Sequence, residues 1–349
     1  MILKKLGIFM ASVLLATASM ADTLEVNENH PTKYVVQKGD TLWDISGKFL
    51  KKPWYWPKIW NVNPQIDDPH WIYPGDVLTL VWIDGKPYIK REATTQKGNP
   101  IPTINAEAIK TFLRNDVILP YDQAQLDKYP YVAGNNEERR LFAETKDVYV
   151  NGKLNKGQQY GVYHKGQALI NDEGNKVAYH AIFTGVVVGG DQYGKDGKFN
   201  KSYLVKNKTA VSNGDYVLPI DDNGYGLYFV PKAATVDTTI IGLAEESSGV
   251  AAIYDTVIIG KGSKDGVSVG DVFSISRTGA KLVGETADDT AYATMAGAGR
   301  RLVSSSDNVL PDDVIGQALV YRTYDNVALA IIMNSSDPVF KGYKLVKPE

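Results

Sequence analysis

The stretch Lys33-Tyr-Val-Val-Gln-Lys-Gly-Asp-Thr-Leu-Trp-Asp-Ile45 sets the fold of the N-terminal part of this chain. Residues 33–37 alternate in polarity and predict a strand. Lys38-Gly39-Asp40 predicts a turn. Thr41 to Asp44 has the form of a capping box, the hydroxyl meeting the amide three residues on and Asp44 reaching back. Leu42, Ile45 and Phe49 then share one helical face. Pro57 suits the first turn of a second helix over residues 57–62, which Asn63-Pro64 stops. Ile72-Tyr-Pro-Gly75 turns the chain into a closing strand over residues 77–81. The predicted order is β-α-α-β.

What lies on either side differs in character. Residues 1–21 read as a secretory signal peptide: Lys4 and Lys5, an apolar run over 6–16, then Ser19 and Ala21 placed for cleavage after Ala21. Cleavage removes two lysines and no carboxylate, so a chain of net charge −2 becomes more negative still. Residues 22–30 are polar and read as loose. All six tryptophans fall between Trp43 and Trp82, marking residues 31–83 as one module. Residues 84–105, rich in Pro, Gly, Thr and Lys, read as a linker. Residues 106–218 read as a helical lead-in (106–114, then 122–128) and a first β domain, and 219–349 as a second.

The β region carries an internal repeat. Asp147-x-x-Val150-x-Gly152, Gly157-x-x-x-Gly161, Gly166-x-x-Leu169, Gly185-Val-Val-Val and Gly214-Asp-Tyr-Val-Leu218 run parallel to a second series. That series is Asp255-x-x-Ile258-x-Gly260, Gly266-x-x-x-Gly270, Gly279-x-x-Leu282, Gly316-Gln-Ala-Leu-Val320 and Gly342-Tyr-Lys-Leu-Val346. Apolar runs of four to six residues between glycine turns predict two related small barrels or sandwiches. The expected class is α+β overall, a small βααβ module followed by a mainly-β region.

Tyr34-Val-Val-x-Lys38-Gly-Asp-Thr-Leu42-Trp-x-Ile45, Trp60-x-x-Asn63-Pro-x-Ile66 and Ile72-Tyr-Pro-Gly-Asp-x-Leu78, in this order and spacing, resemble a LysM module. It departs from the family's common pattern in residues 51–57 and in Pro69-His-Trp71. The resemblance, to exported LysM proteins of Gram-negative type, implies non-catalytic binding of the N-acetylglucosamine glycan of peptidoglycan in the periplasm. It implies a shallow groove between two loops. Gly39, Asp40, Thr41 and Leu42 belong to the first loop, and Asn63, Pro64, Ile66, Ile72 and Pro74 to the second. Trp71 and Trp54 are candidates for stacking on sugar faces. Each residue also has a structural reading: Thr41 and Asp44 as caps, Leu42, Ile45 and Trp60 as core, Asn63 as a turn residue.

The rest of the sequence favours no catalyst. With no cysteine among 349 residues, thiolate nucleophiles, disulfides and thiolate metal sites are excluded. His30, His70, His164 and His180 fall at no His-x-His or His-Glu-x-x-His spacing, and no metal or other cofactor is expected. No Ser-x-x-Lys occurs. Gly189-x4-Gly194-Lys195 mimics a phosphate loop, but Asp196 replaces the hydroxyl residue, and it reads as a hairpin turn. Lys and Arg total 38 against 40 Asp and Glu, which leaves no footprint for nucleic acid. No segment after the signal peptide is long and apolar enough to span a membrane. The expected function is therefore glycan binding, with residues 106–349 as scaffold or as the contact for an envelope protein. The alternative is a peptidoglycan hydrolase whose active site lies in the β region.

Overall fold

The computed structural model of the chain describes residues 24–60, 72–92, 99–104, 116–135, 141–142, 147–220, 230–244, 249–279 and 310–348. The signal-peptide segment, residues 61–71 and residues 106–114 lie outside this set. The N-terminal module has the expected order: strand β1 (Lys33–Val35), helix α1 (Leu42–Phe49), a 3-10 turn (Pro53–Tyr55), helix α2 (Trp56–Ile59) and strand β2 (Val77–Ile83). Thr41 caps α1, its hydroxyl accepting the Asp44 N–H at 3.0 Å. The return contact differs from a full capping box, because the Thr41 hydroxyl donates to Asp44 Oδ2 at 2.7 Å. Leu42, Ile45 and Phe49 are buried together with Trp43, Trp54, Trp56 and Trp60.

Two flanking segments are more ordered than their composition indicates. Residues 24–30 are tied to the end of α1 by a Val26–Leu50 bridge. The Asn27 amide donates to the orphan carbonyls of Gly47 and Leu50 there. Within the expected linker 84–105, residues 86–92 form strand β3 (Lys86–Glu92), which pairs with β2 along its full length and makes the sheet β1-β2-β3. Asp84 and Gly85 both adopt positive φ, 49° and 74°. That is the two-residue hairpin geometry whose twist matches the strands it joins. Pro87 is tolerated because β3 is the sheet edge.

The β region forms two six-stranded barrels. The first comprises β4 (Asp116–Pro120), the one-turn helix α3 (Gln123–Leu126), β5 (Tyr131–Gly134), β6 (Leu141–Phe142), β7 (Asp147–Asn151), β8 (Gln159–Ile170), β9 (Lys176–Tyr193), β10 (Phe199–Asn207), β11 (Val211–Ser212) and β12 (Tyr216–Pro219). Its ring runs β10-β7-β5-β12-β8-β9 and closes by β9 pairing with β10. The second comprises β13 (Lys232–Ala233), β14 (Thr238–Leu243), β15 (Thr256–Ile259), β16 (Asp271–Arg277), β17 (Asp313–Thr323), β18 (Ala328–Ser335) and β19 (Lys344–Val346). Its ring runs β18-β15-β14-β19-β16-β17 and closes by β17 pairing with β18. Matching the two repeat series strand for strand gives the same cyclic order. A minor pairing also recurs, β6 with β11 in the first barrel and Ala251 with Val339 in the second.

Packing explains the sequence pattern of each barrel. In the first, β7 alternates buried and half-buried positions, and Val148, Val150, Val162, Val187 and Val217 fill the interior. In the second, Thr256-Val-Ile-Ile is buried at every position. Val257 and Ile259 join Phe273 and Ile275 in one cluster, while Ile258 joins Leu319, Leu329 and Ile331 in another that includes the helical module's tryptophans. A strand covered on both faces needs apolar residues throughout, so it reads as a continuous run rather than an alternation.

Candidate functional site

The first loop of the expected groove is built by a turn that recurs. Gly39 has φ +98°, a left-handed conformation that costs little only for glycine. Asp40 then closes the turn twice, its N–H donating to Gln37 O at 3.2 Å and its carboxylate accepting the Gln37 N–H at 2.7 Å. Gly75-Asp76, Gly214-Asp215 and Gly270-Asp271 repeat the device, each Asp carboxylate accepting the N–H three residues back at 2.8–2.9 Å. The Tyr34 hydroxyl also donates to Asp40, at 2.9 Å. Burial, reinforced by that bond and the Asp40 charge, pushes the Tyr34 phenol up to about 12.

The second loop is held by a buried ion pair. Asp76 is fully buried and accepts the Tyr73 N–H at 2.9 Å. Arg91 on β3 donates from Nε to the same oxygen at 2.6 Å, and its guanidinium lies over the Tyr73 ring. The added strand thus fixes the loop carrying Ile72 and Pro74.

Between the two loops lies residues 99–104. The first N–H groups of a helix have no partner within it. In α1, Asp44 is served by Thr41, whereas Leu42 and Trp43 donate to the carbonyls of Pro102 and Thr103, both at 3.0 Å. From the other side, the Ile101 N–H donates to Ile72 O at 2.7 Å. Ile101, Thr103 and Ile104 are buried, and the two isoleucines join Leu42 and Ile72 in one cluster.

The expected site residues are accordingly distributed as follows. Gly39 is exposed, and Asp40 and Pro74 are half-buried. Thr41, Leu42 and Ile72 are buried at 2 %, 1 % and 0 % exposure. Asn63, Pro64, Ile66 and Trp71 lie outside the described residues. Trp54 is 3 % exposed and sits against Trp43 and Tyr55, so it presents no face for stacking. Sequence reasoning missed Arg91 and residues 101–103. Asp84-Gly85 between apolar alternations signals the hairpin that carries Arg91, whereas nothing local signals the return of residues 101–103.

Chemistry elsewhere is sparse. His164 Nδ1 lies 2.8 Å from the buried carboxylate of Asp215, whose other oxygen accepts the Ser212 N–H. Asp215 closes one of the recurrent turns, which accounts for its burial. Among the described residues, no group of three or more His, Asp or Glu could hold a metal ion. Gly194 and Lys195 sit in the β9–β10 hairpin, where a three-residue 3-10 turn (Lys195–Gly197) leads straight into β10 and no α-helix follows to cradle a phosphate.

Comparison with known proteins agrees with this geometry. Residues 34–81 match the LysM domain family. A protein described as "Uncharacterized protein YqbP", from Bacillus subtilis (strain 168), is 42% identical over 64 residues, which is 16% of this chain and 29% of that protein. The chain thus spans under a third of that relative's length. Residues 34–81 form a LysM domain, a module of carbohydrate-binding type.

Proposed function

We propose, from the premise of a LysM domain at residues 34–81, that this protein binds the N-acetylglucosamine glycan of peptidoglycan without cleaving it. The supporting observation is the amide-reading geometry between the two loops. The Leu42 and Trp43 N–H groups face one partner segment and the Ile72 carbonyl faces it from the other side. An acetamido group offers the complementary pair, a carbonyl acceptor and an N–H donor. Leu42 and Ile72 supply apolar surface for its methyl group and for the sugar ring.

In this reading residues 1–21 export the chain to the periplasm and are cleaved after Ala21. The barrels act as scaffold and as a contact for an envelope protein. Tyr193 and Tyr203 on the first barrel are 60% and 49% exposed and offer such a contact. The test is sedimentation of the full mature chain with insoluble peptidoglycan, chitin and cellulose. Binding to the first two, released by soluble N-acetylglucosamine oligomers but not by cello-oligomers, is expected. Equal retention on cellulose would remove the acetamido reading. A hydrolase reading draws on the His164–Asp215 pair, and a clearing band on a peptidoglycan zymogram would establish it.

A further inference from the structure

We infer that residues 101–104 are an internal latch that occupies the glycan groove and must leave before a glycan can enter. The inference rests on the proposed glycan reading of that groove. Its own observations are three backbone hydrogen bonds that span the groove from wall to wall. Leu42 and Trp43 donate to Pro102 O and Thr103 O, and Ile101 donates to Ile72 O. Each backbone N–H carries one hydrogen, so a glycan acetamido group and the latch compete for the same donors. Burial points the same way, because Ile101 and Ile104, at 3% and 0% exposure, cover the side chains that line the groove.

The latch belongs to the same chain, between β3 and β4, so it competes at a high effective concentration. A peptide amide satisfies the groove as an acetamido group would, and the segment acts as a built-in mimic of the ligand. The closed state also carries a defect. The Thr103 hydroxyl is buried without a hydrogen-bond partner among the described residues, which narrows the margin by which the latch holds. Apparent glycan affinity is the open-groove affinity reduced by the fraction of chains that are open.

The test compares the full mature chain with its I101A/I104A variant, titrated with the soluble N-acetylglucosamine tetramer. Amide exchange at Leu42 and Trp43 is followed in both free proteins. The expected result is binding at least about tenfold tighter in the variant, with both amides exchanging faster than in the parent chain. Equal affinities would overturn the latch and leave the glycan reading intact. Failure of both proteins to bind, with the two amides released in the variant, would overturn the glycan reading and the latch with it. If the variant does not fold, the parent chain alone decides. Unprotected exchange at its Leu42 and Trp43 amides would mean that no latch exists.

Discussion

Gly39 and Asp40 show how one pair of residues can look like a binding motif while performing local work. Their turn recurs at Gly75-Asp76, Gly214-Asp215 and Gly270-Asp271, two of these in the barrels. The pair therefore shapes the loop first, whatever the loop binds. Tyr34 supports the same turn, and replacing it with Phe is expected to cost about 1 kcal/mol, measured by chemical denaturation. Its phenol is raised from 10 to about 12 in the folded chain. The neutral form is the one folding favours, so this contribution is complete below pH 10 and fades as pH rises towards 12. The Phe variant should lose less stability than the parent over that interval, and an identical decline in both would contradict the assignment. Thr41→Ala should cost about 1 kcal/mol through loss of the α1 cap, again read by denaturation.

At the scale of elements, β3 carries the most consequence for the groove. Arg91→Ala leaves the Asp76 charge buried without its cation and is expected to destabilise the fold by about 3 kcal/mol. A double-mutant cycle with Asp76→Asn checks the coupling, and additive losses would show that the pair is incidental. The close approaches in the barrels are a second element-level feature. A Cβ at Gly185 would run into the Lys206 carbonyl, and one at Gly316 into the Asn334 carbonyl. These glycines hold equivalent places in the repeat, on β9 against β10 and on β17 against β18. Ala at either should destabilise by about 1–3 kcal/mol, with the strands forced apart.

Much of this was legible beforehand, for local reasons. Thr41 as cap, the helical face of Leu42, Ile45 and Phe49, and the glycine spacing of the repeat all depend on near neighbours in sequence. The third strand was less visible because Lys86, Pro87 and Lys90 depress its β signal, although Asp84-Gly85 marks its hairpin. The return of residues 101–103 to α1 was not legible at all. It is a contact between two loops and a segment that lies 60 residues beyond the first (Leu42 to Pro102, Trp43 to Thr103) and 29 beyond the second (Ile72 to Ile101), made by backbone atoms whose chemistry is the same in every residue.

For the whole molecule, the shared core is the central fact. One apolar cluster runs from Trp43, Trp54 and Trp56 through Ile118 and Leu169 to Ile258, Leu319 and Leu329. The 3-10 turn Pro53–Tyr55 packs beside Lys232–Ala233 of the second barrel. Because all six tryptophans lie between Trp43 and Trp82, their fluorescence reports on the N-terminal module, whereas far-ultraviolet circular dichroism is dominated by the barrels. The two denaturation midpoints are expected to coincide. An earlier tryptophan transition would mean that the modules fold independently.

The most direct test of the account is amide exchange on the full mature chain with and without a saturating N-acetylglucosamine oligomer. In the free chain, the Leu42, Trp43 and Ile101 amides are all hydrogen-bonded across the groove. With glycan bound, Leu42 and Trp43 are predicted to remain protected, their acceptors exchanged for the acetamido group, while Ile101 loses its bond to Ile72 and exchanges freely. Protection of Ile101 that survives glycan saturation would contradict the account, because the glycan would then be bound somewhere other than this groove.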